Sequence, residues 1–310
     1  MKKVSFKTLG CRLNQYETDA LVTQFHQAGY QVVDYSKDAD VTVINTCTVT
    51  NQSDQKSRNT INHAARKNAG GMVVVTGCMA NNHKEQLEAN EKITYVVDNE
   101  HKSSIVSLVD AHFKGEVVHP EAFPGDIFGF ETVDQSLHTR TSIKIQDGCD
   151  NFCTYCIVPY TRGRERSRSP HDIIEEARDL NKRGYKELTL LGQNVNSYTW
   201  SPEKGKERDE KEKDEEIGFS KLLSMVASEV PDMRIRFTTS HPKDMSDLTL
   251  KTMARYDNIC NHIHLPMQSG SSDVLKRMNR KYTAEDYKNR IKAIREILPG
   301  CGISTDIFCG

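Results

Sequence analysis

The sequence predicts an α/β protein in two parts: an N-terminal open parallel sheet, then a partial β/α barrel of TIM-like kind, truncated at its C-terminus. Three observations carry this. In residues 1–115, near-continuous apolar runs alternate with helical stretches, the mark of parallel strands covered on both faces. Across 140–310, five further runs alternate with helices, which fits a barrel built from β/α units. Between them, 116–139 holds Pro120, Pro124, Gly125 and Gly129 with no sustained period, so it reads as a linker.

In the first part, Val4-Ser5-Phe6-Lys7-Thr8-Leu9 alternates like a strand and runs into Gly10-Cys11, and apolar residues recur at helical spacing from about Tyr16 to Ala28. Val41 to Thr46 repeats the design and ends in Cys47, followed by a helical stretch with Lys56, Arg58 and Arg66. Met72 to Gly77 repeats it again and ends in Cys78. In open parallel sheets the ligand site lies outside the carboxyl ends of the strands, so three cysteines 36 and 31 residues apart can converge. A lone free cysteine is most often a small buried hydrophobe. Three at equivalent positions suggest a common cause, a three-cysteine metal site.

The second part opens with Thr141 to Gln146, whose carboxyl end delivers Gly148-Cys149-Asp150-Asn151-Phe152-Cys153-Thr154-Tyr155-Cys156. A helix is expected from about His171 to Arg183, with Pro170 and Asp172 as start signals and Gly184 as the stop. Strands are expected at Glu187–Asn194, Arg234–Ser240, His262–Gln268 and Gly302–Ile307. Glu203 to Glu216 is almost wholly charged and reads as a solvated insertion without a chemical role. The chain stops at Phe308-Cys309-Gly310, directly after a strand, where a barrel needs more chain. Cys260, Cys301 and Cys309 match no ligand spacing and are assigned to packing.

Composition narrows the function. At 310 residues, 36% hydrophobic and 27% charged, the chain is an ordinary soluble type with room for two cores. A net charge of -1 gives no global pull on nucleic acid, so any such surface is a local basic patch. The apolar runs are too short for a membrane span and the N-terminus leads into a strand, so the chain reads as cytoplasmic, with no membrane partner. Nine cysteines, an odd number placed at strand ends and glycine-flanked turns, favour metal-bound thiolates in a reducing compartment over a disulfide framework.

The C-x3-C-x2-C run supplies three thiolates within eight residues and no local fourth ligand. An iron-sulfur cluster held this way keeps one iron open for a substrate or cofactor, whereas structural metal sites are normally saturated.

The stretch from Gly148 to Arg168, GCDNFCTYCIVPYTRGRERSR, together with Thr8-Leu9-Gly10-Cys11, Asn45-Thr46-Cys47 and Thr76-Gly77-Cys78, resembles the radical S-adenosylmethionine methylthiotransferases over essentially the whole chain. The resemblance implies two 4Fe-4S clusters. Cys149, Cys153 and Cys156 would hold the one whose open iron chelates S-adenosylmethionine and whose electron cleaves it to a 5′-deoxyadenosyl radical. Cys11, Cys47 and Cys78 would hold the other, which supplies or carries the sulfur, and a second S-adenosylmethionine would donate the methyl. Such members add a methylthio group to carbon 2 of the N6-modified adenosine next to the tRNA anticodon, a C–H that is neither acidic nor electrophilic enough for side-chain catalysis. The implied partners are a tRNA anticodon stem-loop and a reductant such as flavodoxin or ferredoxin, with the protein a monomer. The family normally ends in a small β-barrel RNA-binding domain, for which this sequence holds no counterpart.

Finer roles follow the same resemblance. Gly192, Gln193 and Asn194 lie where such barrels bind the methionine end of the cofactor, and Ser240, Gln268 and Asp306 end later strands that face its ribose or adenine; polar capping of strand ends is the competing role. Arg162, Arg164, Arg166 and Arg168 alternate beside the cysteine loop, a row suited to RNA phosphates or to a solvated face. Phe152 and Tyr155 are expected to shield the cluster. The stretches Thr8–Glu17 and Asn45–Asn51 look like the branch acting on threonylcarbamoyl-adenosine, whereas Leu190–Asn196 and Arg236–Asp244 look like the isopentenyl-adenosine branch. A third branch modifies an aspartate of a ribosomal protein. From other classes, an iron-sulfur electron carrier has no need of polar barrel ends, and a zinc-stabilised RNA-binding module lacks a nearby fourth ligand.

Overall fold

The computed structural model of the chain describes residues 1–68, 70–130, 140–202 and 216–309. It divides into two compact units, Met1–Leu137 with Ile157–Gly163, and His138–Cys156 with Arg164–Gly310.

The first unit is a five-stranded parallel sheet. Its strands are β1 (Lys3–Thr8), β2 (Gln31–Val33), β3 (Val41–Thr46), β4 (Met72–Gly77) and β5 (Tyr95–Val97), in the order β2-β1-β3-β4-β5. Every residue of β3 and β4 is buried, as expected for apolar runs covered on both faces. The edge strands β2 and β5 have three residues each, too few to show a period, and sequence reasoning missed them. Helix α1 (Arg12–Gln27) turns Leu13, Tyr16, Ala20, Leu21 and Phe25 inward at helical spacing. Helix α2 (Asn51–Lys67) starts at Thr50, whose hydroxyl accepts from Ser53 N, and buries Ser57, Ile61 and Ala64. The short helices α3 (Cys78–Asn82) and α4 (Lys84–Glu88), then α5 (Ile105–Phe113), complete the covering.

Part of the expected linker belongs to this unit. Ile127 and Phe130 are buried, Phe130 meets the Tyr16 ring edge-on at 6.2 Å, and Ser103 and Ser104 donate to the carbonyls of Asp126 and Pro124. Two apolar side chains were enough to dock a stretch whose prolines and glycines suggested a free connection. The remainder of that stretch, 131–139, and the charged insertion over 203–215 lie outside the described residues. Helix α6 (Val158–Thr161) also packs here, where Asn99 Nδ2 donates to Thr161 O at 2.9 Å, although sequence placed it with the barrel.

The second unit carries the five expected strands, all parallel: β6 (Arg140–Lys144), β9 (Glu187–Leu191) and β12 (Arg234–Thr238) in the order β12-β9-β6, and β13 (His262–His264) beside β14 (Gly302–Ser304). Ile235 links the two groups by exchanging backbone hydrogen bonds with Asn258 and Cys260. Two minor antiparallel pairs join β7 (Gln146–Asp147) to β8 (Arg166–Ser167), and β10 (Thr199–Trp200) to β11 (Ile217–Gly218). Helices α7 (Pro170–Lys182), α8 (Phe219–Glu229), α9 (Asp247–Arg255), α10 (Ser272–Arg277) and α11 (Ala284–Ile297) supply the other side of a core built on Ile143, Leu188, Leu190, Ile235 and Ile263. This is a partial β/α barrel. Among the described residues no helix is long and apolar enough to cross a membrane.

Candidate metal centres and active site

The order of the first sheet explains why three distant cysteines stand along one edge of it. The chain leaves β1 toward β2 on one side and returns to β3 on the other, so the sequence order reverses between β1 and β3, the crevice where doubly wound sheets bind ligands. Cys11 stands directly before α1, Cys47 directly after β3, and Cys78 opens α3 directly after β4. Burial pushes the Cys47 thiol up from its ordinary pKa, with smaller upward contributions from the charges of Cys78 and Cys11. The three sulfurs therefore share one electrostatic neighbourhood.

The backbone around them is tightly fixed. Asn14 Nδ2 donates to Leu9 O at 2.8 Å and Thr46 O at 2.9 Å, tying together the two strand ends that deliver Cys11 and Cys47. Ser57 accepts from Cys47 N and donates to Cys47 O, at 3.2 and 2.7 Å. Gly10 has φ +99°, and a β-carbon there would sit 2.7 Å from Cys47 Cβ and 2.9 Å from its Sγ. Gly77 has φ +95°, and a β-carbon would strike the Thr46 carbonyl. Only glycine allows so close an approach, to Cys47 at Gly10 and to Thr46 at Gly77.

Beneath the triplet lies a buried charge cluster that sequence reasoning missed. Lys102 Nζ meets Glu17 Oε2 at 2.5 Å, Arg162 Nη1 meets Glu17 Oε1 at 2.9 Å, and Arg162 Nη2 donates to Asn14 Oδ1 at 2.7 Å. Burial lowers the Lys102 pKa, Glu17 opposes that most strongly, and Cys78 also raises it. Two cations thus share one carboxylate under a set of thiols, which suits thiolates carrying negative charge. This corrects the reading of Arg162 as an RNA contact: its side chain is 1% exposed and committed to Glu17.

The second triplet sits on one loop at the carboxyl end of β6 and β7. Gln146, fully buried, donates through Nε2 to Gly148 O at 2.9 Å and accepts through Oε1 from the amides of Gln193 and Asn194 at 2.8 and 3.2 Å. One carboxamide thereby aligns the cysteine loop with the end of β9. Cys153 is buried, and Cys149 and Cys156 are partly so. Burial raises the Cys149 pKa, opposed by hydrogen bonds from Asn151, whose Nδ2 lies 3.5 Å from Cys149 Sγ. Phe152 has φ +47° and is held there by Asn279 Nδ2 donating to its carbonyl at 2.8 Å. Arg280 is a further residue that sequence reasoning missed. Its Nη1 lies 3.4 Å from both Cys153 Sγ and Tyr155 Oη, while Nε and Nη2 donate to Tyr282 Oη and Pro266 O. A fixed guanidinium at a sulfur favours negative charge on it.

The residues expected at the cofactor have unequal standing. Gly192 leaves room for the Gln146 carboxamide. The amides of Gln193 and Asn194 are spent on Gln146, which supports the capping role for them. Asn194 is 2% exposed; its Nδ2 donates to Asp244 Oδ2 at 2.7 Å, and its Oδ1 is buried with no hydrogen-bond partner. Ser240 is buried at the end of β12. Gln268, at φ +65°, exchanges backbone hydrogen bonds with Asp306 and Phe308, and Asp306 is exposed with Oδ2 3.4 Å from His264 Nε2. Glu165, unforeseen, is half-buried: Ser197 Oγ donates to its Oε2 at 2.6 Å, and burial, aided by Asp150 and Asp244, lifts its pKa from 4.5 to about 7.

The arginine row does not form. Gly163 at φ +77° turns the chain after Arg162, and Arg168 pairs with Glu176 with its side chain 13% exposed. Arg164, lying 4.6 Å over the Phe152 ring and 3.4 Å from Asp150, and Arg166 remain at the surface. The structure also corrects the packing role of Cys309, which is exposed; Cys301 is buried and Cys260 partly so.

Among the described residues no three His, Cys, Asp or Glu side chains converge on a point as a single-ion site requires. A cluster presents a separate iron to each thiolate and asks for no such point. With the buried cations beneath one triplet and at the other, the donor sets suit two clusters of three-cysteine ligation.

The comparisons agree with this class. The Radical SAM superfamily matches residues 143–310, and Uncharacterized protein family UPF0004 matches residues 3–98. The chain belongs to the radical SAM enzymes. Over its whole length it is 44% identical to the tRNA-2-methylthio-N(6)-dimethylallyladenosine synthase of Bacteroides thetaiotaomicron and 46% identical to that of Parabacteroides distasonis, spanning 67% of each. It therefore belongs, more narrowly, to the methylthiotransferase family of these synthases. The chain spans about two thirds of the length of these relatives. Among solved structures, the radical S-adenosylmethionine methyltransferase TsrM from Kitasatospora setae matches 99% of this chain and 67% of its own at TM-score 0.65 and 15% identity. The cobalamin-dependent S-adenosylmethionine radical enzyme OxsB matches 99% and 49% at 0.64 and 11%. These two likenesses establish the fold alone.

Proposed function

We infer that the protein adds a methylthio group to carbon 2 of N6-dimethylallyladenosine beside the anticodon of tRNA. The observation that carries this is the pair of cysteine triplets, each at carboxyl strand ends of its own parallel sheet, since radical cleavage and sulfur transfer need separate sites. The relatives named for the dimethylallyl substrate match the full chain, including Thr8–Glu17 and Asn45–Asn51, and so favour that nucleoside over threonylcarbamoyl-adenosine.

In this reading Cys149, Cys153 and Cys156 hold one 4Fe-4S cluster, and Cys11, Cys47 and Cys78 hold the other. When bound, these groups supply the electron that cleaves S-adenosylmethionine and the site for sulfur. The chain's own residues do the positioning. Gln146 fixes the cysteine loop against the end of β9, Asn194 offers its orphaned Oδ1 to a donor, and Glu165, protonated up to near neutral pH, lines the same strand ends. Ser240, Gln268 and Asp306 stand on later strand ends, where the ribose and adenine are proposed to lie. Phe152 and Tyr155 limit solvent at the loop, and Arg164 and Arg166 are the surviving candidates for RNA phosphates. The protein is proposed to act as a cytoplasmic monomer, reduced by a flavodoxin or ferredoxin.

Anaerobic reconstitution tests this reading. Iron and sulfide sufficient for two clusters per chain, reductive formation of 5′-deoxyadenosine, and the 2-methylthio nucleoside in digests of treated tRNA are the expected results. A colourless protein holding one zinc, or methylthio product only on threonylcarbamoyl-adenosine, would refute it.

A further inference from the structure

We propose that a pocket between α2 and the uncovered margin of the first sheet holds a phosphodiester segment of the RNA substrate, next to the nucleotide presented to Cys11, Cys47 and Cys78. This deepens the proposed tRNA reading and rests on it.

Helix α2 covers Ile44, Val73 and Val75 through Ile61 and Ala64. One strand further out, Lys7 stands in register with Ile44, and paired residues of neighbouring strands lie on the same face. A lysine therefore occupies the position where an apolar residue would sit under a helix. Beside it is a wide-open surface depression of about 470 Å³, lined by Lys7, Tyr35, Gln52, Lys56, Asn59 and His63 among others, with no carboxylate in the lining. Gln52, Lys56, Asn59 and His63 follow at i, i+4, i+7 and i+11, a single stripe along α2 about 16 Å long. Lys7 Nζ lies 5.3 Å over the Tyr35 ring, and Lys67 pins that loop by donating to the carbonyls of Tyr35 and Lys37 at 2.5 Å each. Among the described residues neither Lys7 nor Lys56 forms an ion pair with a carboxylate.

Placement ties this stripe to the cysteines. Lys7 is four residues before Cys11 on β1, and Gln52 is five residues after Cys47. The pocket thus begins at the strand ends that carry the first triplet and leads away from it. Lysines, carboxamides and an imidazole without an acid are the donor set that backbone phosphates call for. A protein partner would ask for an apolar centre, and Tyr35 is the one large aromatic in the lining.

The test measures binding of an anticodon stem-loop RNA bearing N6-dimethylallyladenosine to the reconstituted protein across a salt series. The variants are Lys7→Ala/Lys56→Ala, the milder Gln52→Ala, and Lys292→Ala on the other unit as control. The double variant should bind more weakly and lower the slope of log K against log salt by about 1.4, two single-strand phosphates at roughly 0.7 each. Gln52→Ala should weaken binding without changing the slope. An unchanged affinity and slope in the double variant overturns the proposal, and so does an unchanged RNA isotherm with weakened binding of an acidic flavodoxin. Absence of methylthio product with the unaltered protein would instead count against the tRNA reading itself, so the two failures are distinguishable.

Discussion

The two cysteine cradles are built by opposite routes. Cys149, Cys153 and Cys156 sit on one loop, and their spacing is written in eight residues of sequence. Cys11, Cys47 and Cys78 come from three strand ends and line the crevice where the strand order reverses between β1 and β3. The loop cradle is held by side chains reaching in, Gln146, Asn279 and Arg280, and its charge partner touches a sulfur directly. The sheet cradle is held by Asn14 and Ser57, whose side chains tie the strand-end backbone directly, and by close approach at two glycines, and its cations lie buried beside Asn14. A local cradle tolerates change in the surrounding fold, whereas a topological one depends on all of it.

The largest expected effect separates their chemistry. Cys149→Ala should abolish 5′-deoxyadenosine formation, while Cys47→Ala should leave cofactor cleavage intact and abolish methylthio product. Single-turnover assays with nucleoside mass spectrometry read both. If the two variants lose the same activities, the division of labour between the cradles is wrong.

Next in size is the ion cluster under the sheet cradle. Glu17→Gln leaves Lys102 and Arg162 as buried cations without their carboxylate and should destabilise the protein by about 3–5 kcal/mol. Lys102→Met leaves the Glu17–Arg162 pair intact, so no buried charge loses its only partner, and should cost much less. Urea unfolding of both variants measures the asymmetry, and equal losses would mean that Glu17 is not the keystone of the cluster.

This pair also shows what the sequence could reveal. The loop triplet was legible because all its determinants are neighbours in the chain. The sheet cysteines were legible because one recurs at each of three equivalent strand ends, although their place beside the crevice needed the strand order. Arg162 was misread since its partner Glu17 is 145 residues away and nothing local marks it as buried. Arg280 and Gln146 were invisible for the same reason: a guanidinium 127 residues from Cys153 carries no motif. The five barrel strands were evident from apolar runs, while β2 and β5 were too short to show a pattern. In the connecting stretch, Ile127 and Phe130 outweighed the prolines that suggested a free linker.

A smaller effect tests how tightly the sheet cradle depends on its backbone. Gly10→Ala places a side chain at φ +99° against Cys47 and should cost roughly 1–3 kcal/mol from conformation alone, before the contact is counted. Iron and sulfide should fall by about half in the reconstituted variant, with 5′-deoxyadenosine formation retained, because the loop cradle contains no part of this contact. Full iron loading would show that the close approach at Gly10 is dispensable.

The smallest effect concerns a group that only the loop cradle's unit carries, the half-buried Glu165. Its pKa is raised from 4.5 to about 7, so the folded protein holds a proton there that the unfolded chain releases. The stabilisation is complete below pH 4.5, declines as pH rises, and is gone above about 7. Glu165→Gln keeps a neutral group of the same shape and removes that dependence, so between pH 5 and 8 the variant should gain melting temperature relative to the parent protein. Ser197→Ala should act in the other direction, since the Ser197 hydroxyl opposes the upward shift; without it the carboxyl keeps its proton to higher pH and the decline extends further. Parallel pH profiles for the parent and Glu165→Gln would show that Glu165 does not carry the titration.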